Sequence, residues 1–152
     1  MTQTLTQIMT DHHQYCDDLF AKVETQVHHG SWEAALSAYQ QLTQGIEWHF
    51  HAEESRLFPS FEAATGTSAG PTSVMREEHA QLRELMEGCG ETLASHDAKG
   101  FAGQAETLLI LLQQHNAKEE NILYPMCERM LGSGGEDFAA DFAAEIAALC
   151  PS

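Results

Sequence analysis

His49-Phe50-His51-Ala52-Glu53-Glu54-Ser55-Arg56-Leu57-Phe58-Pro59 and His115-Asn116-Ala117-Lys118-Glu119-Glu120-Asn121-Ile122-Leu123-Tyr124-Pro125 are two copies of one pattern, HxxxEExxL(F/Y)P. On a helix, a His and a Glu four residues apart share a face, with Cβ atoms about 6 Å apart, so both side chains can point at one centre. Ahead of each copy stands a further acidic-His dipeptide, Asp11-His12 before the first and Glu78-His79 before the second. His12 and His49 are 37 residues apart (49 − 12), His79 and His115 are 36 apart (115 − 79), and the chain reads as two similar helical hairpins facing each other.

Working outward, apolar residues recur at helical spacing and no stretch alternates like a strand for long. A first helix is expected from about Thr4 to His29, with Ile8, His12, Leu19 and Val23 on one stripe and Gly30 as its stop. Ser31 is expected to cap a second helix carrying Leu42, Ile46, His49, Glu53 and Leu57, which Pro59 should kink or end. The stretch from Thr65 to Ser73 reads as a loop. A third helix follows Pro71-Thr72-Ser73, presents Met75, His79, Leu82 and Met86, and should weaken around Gly88-Cys89-Gly90. A fourth starts near Asp97 to Lys99, presents Leu108, Leu112, His115, Glu119, Ile122 and Met126, and ends at Gly132-Ser133-Gly134-Gly135. A short fifth helix, Glu136 to Leu149, is expected to pack outside the bundle without chemistry of its own. Short connections favour antiparallel neighbours. The expected fold is thus all-α, one domain over residues 1–152, with an up-down-up-down four-helix bundle at about 4–131 and the extra C-terminal helix. At about 1.5 Å of rise per residue, His12, His49, His79 and His115 fall in one layer.

Composition narrows the function. With 152 residues and 43% hydrophobic content the chain can bury a core, and its apolar runs are too short to span a bilayer. Twenty-three acidic residues against seven basic ones give a net charge of −16, which repels phosphate backbones and anionic membrane surfaces. Neither nucleic acid nor membrane is expected as a partner. Cys16, Cys89, Cys127 and Cys150 form no CxxC pair and read as free thiols of a reducing compartment, with the cytoplasm as the expected location.

A lone histidine on an apolar stripe is ordinarily a core or boundary residue, and a lone HxxxE is ordinarily an exposed helix pair. Four histidines and two glutamates on inward stripes are different, because each unpaired buried polar group costs a few kcal/mol. A shared metal removes that cost. Two His-Glu pairs supply two carboxylates able to bridge two ions, and mixed imidazole and carboxylate ligation suits iron, with manganese and zinc as competitors. His13 is the alternative to His12 if the first helix slips by one residue. His51 points away from His49, and His28, His29 and His96 lie at helix ends or in a loop. Tyr15 and Cys16, one turn from His12, are candidates to touch the site from outside the ligand set. Glu54 and Glu120 are expected to face solvent or support the ligands.

These residues resemble the hemerythrin family, in its bacterial HHE-type branch, from about Leu5 to Leu131. The resemblance implies a four-helix bundle holding two non-haem iron ions, oxo- or hydroxo-bridged, with His12, His49, Glu53, His79, His115 and Glu119 as metal ligands. Oxygen-carrying members place the last carboxylate five residues after its histidine, where Glu120 stands; Glu119 is preferred here because it repeats the spacing of Glu53 from His49. Those carriers also have HxxxH on the third helix, whereas this chain has Met75 four residues before His79 and Arg83 four after. Four histidines and two glutamates resemble instead the stress-response branch that repairs iron–sulfur clusters. The expected function is binding or sensing of a small molecule such as O2, NO or a peroxide. The alternative is a di-iron enzyme or iron donor in the oxidative or nitrosative stress response, by NO or peroxide reduction or by cluster repair.

Overall fold

The structure, a computed structural model, describes residues 3–150 and is all-helical over them. Seven α-helices follow one another: α1 (Leu5–His28), α2 (Trp32–Ala52), α3 (Phe58–Thr65), α4 (Pro71–Ala94), α5 (Ala98–Lys118), α6 (Tyr124–Leu131) and α7 (Ser133–Leu149). A π-helical turn, Glu53–Leu57, joins α2 to α3, and a second, Glu119–Leu123, joins α5 to α6. Long helices pack in consecutive pairs, α1 on α2 and α4 on α5, and the pairs meet through α2 against α4 and α1 against α5. Among the described residues no helix is long and apolar enough to cross a membrane.

Local chemistry explains most boundaries. Thr4 and Gln7 form a reciprocal capping box at the start of α1. Gly30, at φ 70°, takes the left-handed conformation that turns the chain into α2. Ser31 does stand at the N-cap of α2, but its side chain makes no capping bond. Asp97 caps α5 by accepting from the Gly100 amide at 2.9 Å. Pro71 occupies the first turn of α4, where its missing N–H costs nothing, so the helix begins there and not after Ser73.

Three expectations are corrected by tertiary structure. Pro59 does not end its helix, because a five-residue turn absorbs it: the Phe58 amide bonds to the Glu53 carbonyl, and the Tyr124 amide bonds to the Glu119 carbonyl in the same way. Widening the turn relieves the clash a proline ring makes with the carbonyl four residues earlier, and such turns recur at functional sites. α4 runs unbroken through Gly88-Cys89-Gly90, since Cys89 is fully buried and the Tyr39 hydroxyl donates to the Met86 carbonyl beside it. The C-terminal helix starts at Ser133, three residues earlier than expected, and packs on the outside of the four long helices against α1 and α6. Phe142 is fully buried in one cluster with Leu5, Phe61 and Tyr124, the Trp48 ring meets it edge-on at 5.7 Å, and Arg56 clasps Glu145 at 2.6 and 2.8 Å.

The buried apolar side chains form two clusters. One, built around Phe20, Leu42, Leu82, Leu93 and Leu108, fills the end nearer the hairpin connections. The other, around Leu5, Met9, Phe58, Phe61, Tyr124 and Phe142, fills the opposite end. Between them lies a layer of buried polar residues that includes His12, His13, His49, Glu53, His79, His115 and Glu119.

Candidate metal centre

Both π-helical turns begin at a glutamate of the repeated motif, Glu53 and Glu119, and both carboxyls are fully buried. Each reaches toward histidines of both hairpins. Glu53 Oε1 lies 3.1 Å from His79 Nε2, and Glu53 Oε2 lies 3.4 Å from His49 Nε2. Glu119 Oε1 lies 3.3 Å from His115 Nε2, 3.3 Å from His13 Nε2 and 3.9 Å from His49 Nε2. Ligand-type atoms therefore gather in two groups, Glu53 with His79, His115 and Glu119, and His13 with His49 and Glu119.

The structure thus brings His49, Glu53, His79, His115 and Glu119 together as the sequence suggests, but on α1 it turns His13 inward and not His12. His12 meets His49 from behind, Nδ1 to Nδ1 at 2.9 Å, with its ring edge-on to Trp48 and stacked near Tyr15. The internal repeat holds the signal for this: His13 to His49 is 36 residues, the same as His79 to His115, and the pair His12-His13 then matches Glu78-His79. The contacts obey the same correspondence. Glu78 backs His115 Nδ1 at 2.8 Å, as His12 backs His49.

The second glutamate of each motif also has a definite place. Glu54 accepts from His79 Nδ1 at 2.7 Å, and Glu120 accepts from His13 Nδ1 at 2.6 Å. An ionised carboxylate only accepts, so each contact fixes the proton on Nδ1 and leaves Nε2 facing the centre. Carboxylate, imidazole and metal in series is the usual arrangement behind a histidine ligand. Arg83 anchors Glu54 at 2.9 and 3.1 Å, and Lys118 pairs with Glu78. Cys16 is buried in the core, its thiol pushed up to about 12 by burial. Met75 packs among apolar side chains where the oxygen carriers resembled here have a histidine. His28, His29, His51 and His96 are exposed.

Sequence reasoning missed Tyr124. Its fully buried hydroxyl donates to Glu53 Oε2 at 2.6 Å and lies 2.7 Å from His49 Nε2, 3.0 Å from Glu119 Oε1 and 3.4 Å from His13 Nε2. Of the six defined positions of the motif one differs between the copies, Phe58 in the first and Tyr124 in the second, and it was the signal.

Electrostatics show what the cluster lacks. Burial, then the charge of Glu119, pushes the Glu53 carboxyl well above its ordinary range. Burial pushes Glu119 the same way, but His115, Glu53 and His13 hold it well below. His79 is lowered to about 4 by burial, and His12 to about 4 by burial and then by His13. Among the described residues six buried side-chain polar atoms have no hydrogen-bond partner, and four of them are Glu53 Oε1, His79 Nε2, His115 Nε2 and Glu119 Oε2. Each unmade bond costs about 1–3 kcal/mol, and native proteins leave few. Four converging lone-pair atoms on carboxylates and imidazoles are what a cation satisfies, so the cluster fits a metal site.

The metal-free protein should be acid-sensitive. His12 and His79 titrate near 4 when folded and near 6.5 when unfolded, so the unfolded chain binds more protons between those values. Their contribution to stability is complete above pH 6.5 and is lost as pH falls towards 4, about 3 kcal/mol each by linkage. His49, also lowered, acts in the same sense; the raised carboxyl of Glu53 opposes them throughout this window, and the imidazoles of His13 and His115, raised by their glutamate partners, oppose them only towards its upper end. Urea melts of metal-free protein should show a lower midpoint near pH 5 than near pH 7. An unchanged midpoint would contradict this balance.

Comparison with known proteins agrees with the geometry. Residues 4–127 match the family model described as the hemerythrin HHE cation binding domain. The chain is 32% identical over 93 residues to the iron-sulfur cluster repair protein YtfE of Escherichia coli O81 (strain ED1a). That alignment covers 55% of this chain and 42% of the relative, so the chain matches under half of that protein's length. No solved structure matches. The cation-suited cluster between the helices and the family match over nearly the whole chain lead to one conclusion: the chain belongs to the hemerythrin HHE cation-binding family.

Proposed function

We propose that this chain is an up-down-up-down four-helix bundle, closed at one end by α7, that holds a non-haem two-iron centre and binds or senses a small molecule such as O2, NO or a peroxide. His13, His49, His79 and His115 are the proposed terminal ligands, and Glu53 and Glu119 the proposed bridges. The observation behind this reading is the four partnerless polar atoms on Glu53, His79, His115 and Glu119, beside a second group formed by His13, His49 and Glu119. Imidazole and carboxylate without thiolate suit iron. When bound, the iron pair supplies electrons and an open coordination position for a diatomic gas or a peroxide.

The chain's own residues prepare that position. Glu54, Glu78 and Glu120 hold the Nδ1 protons of His79, His115 and His13, which aims each Nε2 inward. Phe50 stacks on His79 with ring centroids 3.9 Å apart, and Phe58 flanks the same ring at 5.7 Å, so bulk water is kept from this side. Metal uptake must displace the proton that the raised Glu53 carboxyl retains, which makes binding weaken as pH falls.

The likeness to an iron-sulfur cluster repair protein favours a second reading, in which the same centre donates iron or reduces NO or peroxide under oxidative or nitrosative stress. Metal analysis of protein from iron-supplied cells, with spectra before and after reduction, tests the centre. About two irons per chain with oxo-bridged charge-transfer bands support it, and protein that takes up no ferrous iron anaerobically refutes it. Anaerobic stopped-flow mixing with NO then separates the readings: a stable adduct supports binding, and repeated turnover supports the enzyme.

A further inference from the structure

We propose that the two halves of the centre are inequivalent and fill in a fixed order: the Glu53–His79–His115–Glu119 half takes metal first, while the Tyr124 hydroxyl engages the ligand atoms of the His13–His49–Glu119 half until a second ion displaces it. The inference rests on the metal centre proposed above and adds an order and a residue to it.

Three observations carry it. All four partnerless atoms of the cluster, Glu53 Oε1, His79 Nε2, His115 Nε2 and Glu119 Oε2, belong to the first half. None of these four atoms is held by a hydrogen bond, and what a metal must displace here is the proton that the Glu53 carboxyl retains. The ligand atoms of the other half are already engaged: the Tyr124 oxygen sits 2.7 Å from His49 Nε2, 3.0 Å from Glu119 Oε1 and 3.4 Å from His13 Nε2, while its proton goes to Glu53 Oε2 at the edge of the first half, 2.6 Å away. A second ion has to exchange these contacts for its own.

The backing of the histidines differs in the same direction. His79 and His115 each give their Nδ1 proton to a carboxylate, Glu54 at 2.7 Å and Glu78 at 2.8 Å, which makes both better donors to a metal. In the other half His13 is backed by Glu120, but His49 is backed by the imidazole of His12, which carries no negative charge. The asymmetry is written into the repeat itself. Phe58, the counterpart of Tyr124, has no hydroxyl and lies against the His79 ring, whereas Tyr124 opens α6 directly after the π-helical turn and brings its oxygen to the centre.

Anaerobic titration of metal-free protein with cobalt(II), followed by its electron paramagnetic resonance and ligand-field absorption, tests the order. Wild-type protein should show isolated cobalt up to about one ion per chain and spin-coupled pairs only beyond it. Tyr124→Phe should tighten the second step about tenfold, the effect of removing the hydrogen bonds that the hydroxyl makes among the ligand atoms, and so draw the two steps together. Glu78→Gln should weaken the first step about 10–100-fold and leave the second tyrosine-limited. Coupled pairs from the first increment in the wild type overturn the order. A second step unmoved by Tyr124→Phe in a variant that still binds the first ion overturns the role of the hydroxyl. Wild-type protein that takes up no cobalt at all overturns the metal centre, and this inference with it.

Discussion

Replacing Glu53 and Glu119 together by glutamine is expected to leave the metal-free protein at least as stable as the wild type and to abolish all stabilisation by iron. The two halves of this result have different causes. In the metal-free chain both carboxyls are fully buried and two of their oxygens lack any partner. At Glu119 a neutral amide of the same shape removes the cost of a buried charge, at Glu53 it replaces a carboxyl that already retains its proton, and replacing buried ionic groups is often neutral or stabilising. With iron the sign reverses. A ligand that binds only the folded state at about a thousand times its dissociation constant adds about 4 kcal/mol. For a chain of this size that is a rise of roughly 10 °C in Tm. Thermal denaturation with and without ferrous iron under anaerobic conditions measures both. A variant still stabilised by iron to the wild-type extent would sink the carboxylate bridges.

The second large effect separates the adjacent histidines of α1. His13→Ala removes the Nε2 that lies 2.9 Å from His49 Nε2 and 3.3 Å from Glu119 Oε1, and should reduce iron from about two to about one per chain. His12→Ala removes only a contact behind His49, and should retain two ions with affinity lowered about 10–100-fold. Metal analysis after dialysis, paired with a competition titration, reads both quantities. The opposite pattern would restore His12 to the ligand set.

The ligands on α2 and α5 were legible because the chemistry repeats at helical spacing: His49 and Glu53, and His115 and Glu119, each sit four apart, and two copies of HxxxEE in one chain are hard to reach by packing alone. The register of α1 was harder to read. His12 and His13 are both buried, at 3% and 6% exposure, so the apolar stripe could not choose between them. Only the equal 36-residue spacing of the two hairpins does so. Whether Glu54 and Glu120 face solvent or support the ligands stayed open because their partners, His79 and His13, lie on other helices, and helical periodicity says nothing across helices. Pro59 read as a kink or a helix end since a regular turn has no room for it, while Pro125 drew no such expectation. The π-helical turns that admit them are a backbone rearrangement with no side-chain periodicity of its own. Tyr124 was invisible for a simpler reason: on an apolar stripe an aromatic residue is normally core, and here the ring is core while the hydroxyl is not.

Glu54 of the first hairpin holds His79 of the second, and Glu120 of the second holds His13 of the first. Each hairpin is therefore latched by the other, through two straps that cross the seam in opposite directions. Slipping one hairpin past the other breaks both straps at once, so local fraying of a single helix end does not open the centre. Escape of a bound ion is then tied to a rare, collective parting of the two hairpins. The ion's residence time becomes a property of the slowest breathing mode of the bundle and not of any one ligand bond.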